Sequence, residues 1–436
     1  MASLLEKTPS DAAAALRSAG VQRAWLARDP DSGRLCGSLP ELEPVARAIE
    51  QDADAFAGHE AIFLELGQQT GCLLGAFIHR VERGQAQGGL RHWPYETLRG
   101  FLRDGLRLAR GMGRKAALAG LWWGGGKGII ARDETRAAAL PGWRRAVYSD
   151  YGRFVTSLRG AYITAEDAGT TPLDMAVIHE HTRFSTCLPE SVGGSGNPSM
   201  ITATGVVRAI QAALDHVGAG DLCGKKIAMQ GGGNVGASMI GQLLELGVGQ
   251  VVVAELCADQ RSLLLDRFDG EPVEVRRAAI DDQSILAEPC DVLVPNALGG
   301  VLSDKSIPSI ASRIVCGSAN NQLASALRDG RALAARGIVH VPDYVANRMG
   351  IVACGNEQYG SLADDPMVER QLGRDWDGSI YSTVRRLLDT AACENITPGE
   401  AADFEADEMI EEPNPIWGDR ARLIVRSLIA EGWERG

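Results

Sequence analysis

The chain has 436 residues, 45% hydrophobic and 23% charged, which excludes a disordered or collagen-like polymer and suffices for about two or three domains. Lys plus Arg number 44 against 56 Asp plus Glu, a formal net charge of −12 that excludes the basic footprint of a nucleic-acid binder or of a protein docked on anionic lipid. No apolar run reaches the roughly 18–20 residues of a membrane span. The opening Met-Ala-Ser-Leu-Leu-Glu-Lys lacks the features of a signal peptide, so a cytoplasmic chain is expected. The nine cysteines are scattered without a Cys-x-x-Cys pair and read as reduced structural thiols. His179 and His181, two apart, fall on different faces of a helix, and no metal site is expected.

The first ~55 residues are Ala-rich and read as short helices packed on a later core. Ala61–Leu66 and Leu73–Ile78, joined by Gly-Gln-Gln-Thr-Gly-Cys, read as a hairpin. Tyr95 to about Met112 reads as a helix with Leu98, Leu102, Leu106 and Ala109 as its apolar stripe. Short strands are expected at Gly120–Trp123 and Ala161–Thr164, each ending in a polar loop. Gly193-Gly194-Ser195-Gly196-Asn197-Pro198 reads as a linker or hinge. Beyond it the texture becomes strand–helix alternation, with strands at Lys226–Gln230, Gln250–Glu255, Val273–Arg276, Asp291–Val294, Arg313–Cys316 and Ile338–Val341. That is the pattern of a mostly parallel sheet covered on both faces. From Asp365 onward helices return, expected to pack back on the first domain.

The strand ending at Gln230 runs straight into Gly231-Gly232-Gly233-Asn234-Val235-Gly236, a helix follows, and Glu255 ends the next strand. This is Gly-x-Gly-x-x-Gly in a strand–helix context with an acid about twenty residues on. Gly231 allows the tight turn, Gly233 lets backbone approach a pyrophosphate, and Gly236 brings helix and strand close. The helix N-terminus at Asn234 and Val235 offers free N–H groups to the phosphates. Glu255 can accept from the adenosine ribose hydroxyls and would repel a 2′-phosphate, so NAD is expected over NADP.

Upstream of the hinge, Lys115 precedes Trp122-Trp123-Gly124-Gly125-Gly126-Lys127-Gly128. Three glycines before a lysine suggest backbone closing around a small substrate, or a tight turn with Lys127 exposed. Thr164-Ala165-Glu166-Asp167-Ala168-Gly169 is a strand end entering a loop, which alone could be a helix cap. Two lysines and an aspartate beside a nicotinamide-type cofactor suit one chemistry. One ammonium holds a carboxylate, a desolvated second lysine serves as base, and the aspartate exchanges protons with an amine.

These residues resemble the glutamate/leucine/phenylalanine/valine dehydrogenase family over roughly residues 60–390, nearest its leucine branch. The carrying motifs are Gln87-Gly88-Gly89-Leu90-Arg91, Leu108–Met112, Lys115 with Gly124–Lys127, and Thr164–Asp167. Further on they are Gly196–Ser199, Thr202–Val206, Gln230–Gly236, Asn296–Gly300, Gly317–Gln322 and Pro342–Asn347. The resemblance implies an α/β protein of two domains. Residues 1–197, rejoined by the helices of 350–436, would form a substrate and oligomerisation domain, and 198–349 a Rossmann-type doubly wound NAD-binding domain. It implies reversible oxidative deamination of an L-amino acid to a 2-oxo acid and ammonia, by a homo-oligomer whose domains close about the hinge.

By the same resemblance Lys115 binds the α-carboxylate with the Gly88–Gly89 backbone and Asn347, Lys127 is the base, and Asp167 moves protons at the amino group. Thr202 and Asn320 lie by the nicotinamide amide, and Asn296 and Ala297 also touch the cofactor. Gln87 stands where glutamate enzymes carry lysine and leucine enzymes leucine, while the expected pocket residues Ala165, Val384 and Leu387 stay small or apolar. A larger or partly polar substrate side chain is therefore expected. The alternative is a non-catalytic relative that senses nucleotide or amino acid or serves as an assembly subunit. A 2-hydroxy acid dehydrogenase would need a His base, and no His lies in these motifs.

Overall fold

The computed structural model describes residues 4–133, 141–280, 282–297, 299–360, 362 and 364–436. Leu298 of the Asn296–Gly300 motif lies outside the described residues. The chain divides into two compact units, one of residues 1–196, 354–361 and 407–436, the other of 197–353 and 362–406.

The first unit is built on a mixed sheet of β1 (Arg23–Arg28), β2 (Leu35–Gly37), β3 (Ala61–Leu66), β4 (Leu73–Ile78), β5 (Ala86–Trp93), β6 (Gly124–Ala131) and β7 (Tyr162–Glu166), ordered β2-β1-β3-β4-β6-β5-β7. β3 and β4 form the expected antiparallel hairpin, and β5 runs parallel to both β6 and β7. The N-terminal segment departs from the all-helical expectation, because β1 and β2 extend the sheet beside the helices Pro9–Ser18 and Glu43–Glu50. The Ala-rich composition hid β1, whose Ala24 and Leu26 enter one apolar layer and Ala27 the other, so it shows no alternation of apolar and polar residues.

A second departure is larger. The strand expected at Gly120–Trp123 begins only at Gly124, and the glycine run is itself the buried strand β6. Its glycines serve close packing rather than turning. A Cβ on Gly125 would lie 2.4 Å from Ala109 O and 2.9 Å from the Gly113 Cα of helix Leu98–Leu118. One on Gly128 would lie 2.2 Å from the Tyr151 hydroxyl.

The second unit carries an all-parallel sheet of β8 (Lys226–Gln230), β9 (Gln250–Glu255), β10 (Val273–Arg277), β11 (Val292–Pro295), β12 (Ile314–Val315) and β13 (Val339–His340), ordered β10-β9-β8-β11-β12-β13. The order reverses direction between β8 and β11, where doubly wound sheets leave a crevice at the strands' carboxyl ends. Residues 350–436 do not all return to the first unit as expected, since 362–406 belong to the second. Helix Ile380–Glu394 buries Ile380, Val384, Leu387 and Leu388 there, and Gly205 leaves room for Ile380 and Met349 against helix Ser199–His216. The buried Arg348 adds hydrogen bonds to Thr383 Oγ1 and Gln371 Oε1.

Four histidines are buried as neutral rings. Burial is the first cause in each case, pushing His59 down to about 3 and His92 and His340 to about 4, and lowering His79 as well. His59 shows the neutral form directly, because its Nδ1 accepts from Ala57 N while its Nε2 donates to Leu106 O. An unfolded chain binds these protons near pH 6.5, so the stability they confer is complete above that pH and is lost as pH falls toward about 4. A thermal denaturation series from neutral to mildly acid buffer should show Tm dropping steadily below about pH 6.5. A flat series would contradict the buried neutral rings.

Candidate functional site

In the first unit, the side-chain alternation of β6 places Lys127 on the face that helix Leu98–Leu118 covers, with Gly125, two residues before it, letting the backbone lie close under that helix. Lys127 is only 3% exposed, so the expectation of a lysine on an exposed turn fails. Its Nζ donates to Asp167 Oδ2 at 2.5 Å. Asp167 leaves the end of β7 in a turn closed by Thr170, whose Oγ1 accepts from Asp167 N and donates to Asp167 O.

Burial lowers the Lys127 ammonium below its ordinary range, with Asp167 acting against that shift and Arg91 adding to it. Burial alone would raise the Asp167 carboxyl, but Lys127 and Arg91 together hold it well below the usual carboxylate range. The pair therefore keeps one proton on nitrogen, in a pocket dry enough to make releasing it feasible.

Around the pair stand other expected site residues. Gly89 faces Asp167, since a Cβ on it would lie 2.7 Å from Asp167 Cβ, and Ala165 is Gly89's partner across β5 and β7. The period of two along β5 sets Gln87, Gly89 and Arg91 on one face. Gln87 is 2% exposed, and its Oε1 has no hydrogen-bond partner among the described residues. Met112 of the helix reaches toward Gly88. Lys115 lies in the last turn of the same helix. Trp122 is stacked under the Arg83 guanidinium at 4.2 Å, and Trp123 is buried.

In the second unit the glycine fingerprint takes the turn its spacing implies. Gly231 has φ +96°, and a Cβ on Gly236 would lie 2.6 Å from Gly231 O, so helix and turn touch. At Gly233 a Cβ would meet nothing within 4 Å, and helix Asn234–Glu245 starts there without a side-chain cap, leaving its first-turn N–H groups at Asn234 and Val235 open to an anion. Glu255 closes the loop from beside it, its Oε2 accepting from Gly232 N at 2.8 Å and its Oε1 from Cys257 N at 2.8 Å.

At the switch point between β8 and β11, Asn296 Oδ1 accepts from Ser318 N and Oγ, and Ala297 packs against Gly231. Asn296 Nδ2 and Gln230 Oε1 are buried there with no partner among the described residues. An orphaned donor and acceptor at the crevice, with the open helix N-terminus, fit a bound dinucleotide. The sequence marks Gln230 only as part of the motif, and its orphaned oxygen in the structure is the added signal.

Asn347 donates through Nδ2 to Ser318 O and to Asn320 Oδ1, which sets the direction of the Asn320 carboxamide. Thr202 lies in the first turn of helix Ser199–His216, nine-tenths buried. Val384 and Leu387 are each 1% exposed and belong to this second unit.

Two family models match the chain. "Glu/Leu/Phe/Val dehydrogenase, dimerisation domain" covers residues 71–184, and "Glutamate/Leucine/Phenylalanine/Valine dehydrogenase" covers 193–269 and 253–408. The chain is similar to leucine dehydrogenase of Geobacillus stearothermophilus, 35% identical over 81% of this chain and 91% of that one. It is similar to phenylalanine dehydrogenase of Lysinibacillus sphaericus, 34% identical over 85% and 94% respectively. Among solved structures, L-tryptophan dehydrogenase from Nostoc punctiforme aligns with a TM-score of 0.66 and 31% identity, over 84% of this chain and 98% of that one.

Proposed function

Because the chain belongs to the glutamate/leucine/phenylalanine/valine dehydrogenase family, in its leucine branch, and is an amino acid dehydrogenase, we propose that it performs the reversible, NAD-linked oxidative deamination of an L-amino acid with a large, partly polar side chain. The observation that carries this reading is the buried Lys127–Asp167 pair.

A dinucleotide held at the Gly231–Gly236 turn would supply the acceptor for the hydride of the substrate Cα. The chain's own residues then have these tasks. Lys115 and the Gly88–Gly89 backbone hold the α-carboxylate. Lys127, once it has released the proton that its burial loosens, takes a proton from the water that adds to the imino carbon. Asp167, held ionised beside it, takes and returns protons at the substrate nitrogen. Low exposure keeps competing water from Lys127.

Two features support the finer parts of the proposal. The Glu255 carboxylate anchors Gly232 N and Cys257 N, while Arg261 is turned to the Glu255 and Leu256 carbonyls, so a 2′-phosphate would meet negative charge first. The Glu255→Ser enzyme should therefore gain kcat/KM with NADP relative to NAD by about tenfold, the equivalent of one lost charge repulsion of roughly 1.4 kcal/mol; an unchanged ratio would remove the ribose contact. At the substrate end, the orphaned Gln87 Oε1 favours a side chain that brings an N–H or O–H donor.

The deciding experiment is a panel of 2-oxo acids with ammonia and NADH, followed by NADH absorbance. The highest kcat/KM is expected for a large side chain carrying a hydrogen-bond donor. A maximum at 2-oxoglutarate or at small aliphatic acids would overturn the substrate class, and no turnover at all would leave a binding protein. A cytoplasmic homo-oligomer belongs to the same proposal; the dimerisation-domain match to residues 71–184 supports self-association.

A further inference from the structure

Asp167 Oδ2 accepts two hydrogen bonds, from Lys127 Nζ at 2.5 Å and from Arg91 Nε at 3.3 Å. On its far side Arg91 Nη1 donates to both oxygens of Asp104, at 3.3 and 3.1 Å. Asp104 Oδ2 in turn accepts from the Tyr95 hydroxyl at 2.6 Å. Charges of alternating sign thus run from helix Leu98–Leu118 across β5 to the loop after β7 and on to β6, in the order Asp104, Arg91, Asp167, Lys127. We propose that Arg91 is a positioning residue, a fixed cation held by Asp104 that clamps the Asp167 carboxylate and sets how the proton is shared between Asp167 and Lys127. This rests on the assignment of Lys127 as base.

The physical reason lies in the residue type and its anchorage. A guanidinium does not titrate in the working range, so its charge is constant while its neighbours exchange protons. Its fork needs two partners in one plane to stay put, and Asp104 and Asp167 supply them. Without Asp104, Arg91 keeps Asp167 Oδ2 as its remaining carboxylate partner, at 3.3 Å, but loses the anchor on its other side. The groups facing the pair are Arg91 from β5, Asp104 on the helix with Tyr95 before it, and Tyr162 and Glu166 from β7. Among them Arg91 lowers the Lys127 ammonium and Asp104 raises it. Arg91 also lowers the Asp167 carboxyl. Removing the cation therefore makes Lys127 harder to deprotonate, and removing the anion makes it easier.

Opposite signs provide the test. With the best substrate of the panel and NAD, kcat/KM is measured against pH for Arg91→Gln, Arg91→Lys and Asp104→Asn, each checked for folding by circular dichroism. The ascending limb, where the base loses its proton, should move up by about one pH unit in Arg91→Gln and down in Asp104→Asn. In Arg91→Lys, which keeps the charge, it should stay in place while kcat falls, because a point charge cannot clamp two carboxylates. KM for the amino acid should change little.

Unmoved limbs in Arg91→Gln and Asp104→Asn, or limbs moving the same way, would reduce the array to scaffolding. A rise in KM alone would make Arg91 a substrate contact instead. Should Arg91→Gln not fold, the downward shift in Asp104→Asn still decides. If Lys127→Ala is inactive while the limbs stay fixed, only the role of Arg91 fails. If Lys127→Ala turns over normally, the base assignment itself is what failed.

Discussion

In the Lys127→Ala enzyme, turnover should fall by roughly 10²–10⁴-fold, the range over which a positioned general base contributes, while binding of NADH stays as in the parent. The two readouts separate because Lys127 sits on β6 of the first unit, whereas the glycine fingerprint and Glu255 belong to the second. Stopped-flow absorbance gives the rate, and quenching of protein fluorescence by NADH gives the binding. Removing one partner of a buried ion pair ordinarily costs about 3–5 kcal/mol by stranding the other charge. Here Asp167 keeps Arg91, so the stability loss should be smaller, and thermal denaturation will show whether it is. Near-normal turnover would refute Lys127 as base, and lost NADH binding would mean that the substitution disturbs more than the chemistry.

Gly125→Ala should be strongly damaging to the first unit. The new methyl would fall 2.4 Å from Ala109 O and 2.9 Å from Gly113 Cα, both backbone, so neither neighbour can turn away as a side chain would. The helix must lift from β6, at a cost of about 3 kcal/mol or more, and with it the cover over Lys127. Gly111→Ala on the same helix is the control. A Cβ there meets nothing within 4 Å, and the gain in helix propensity should stabilise by about 1 kcal/mol. Equilibrium urea unfolding of both variants checks the contrast, and equal effects would mean that helix–strand spacing is not what the glycine secures.

The motifs of this chain were legible because each one is local. The turn at Gly231, the open backbone at Gly233 and the contact at Gly236 follow from where a Cβ fits, which spacing along a single strand–turn–helix already encodes. β8, β9 and β11 were likewise readable, since strands covered on both faces leave short apolar runs. Local sequence misleads where it is compatible with two environments. Gly124–Lys127 reads as a loop by composition, and only the helix laid against it makes the glycines a condition of close approach. β1 reads as helix by composition, and only two facing apolar layers make it a strand. Residues 362–406 give no local sign of which unit they join; the space that Gly205 leaves for Ile380 and Met349 fits them to the second.

By itself, the sequence carried the family resemblance and with it the class of amino acid dehydrogenase, because the motifs built on Lys115, Lys127, Asp167 and the glycine turn stand in order along the chain. Only the tertiary structure decided that Lys127 is buried, that Asp167 is shared between two cations, and that Arg91 is anchored by Asp104. Those properties depend on dielectric and on distances between segments far apart in the chain. Burial removes the water that would otherwise screen each charge, and no single stretch of sequence states which residues will be brought together once that water is gone.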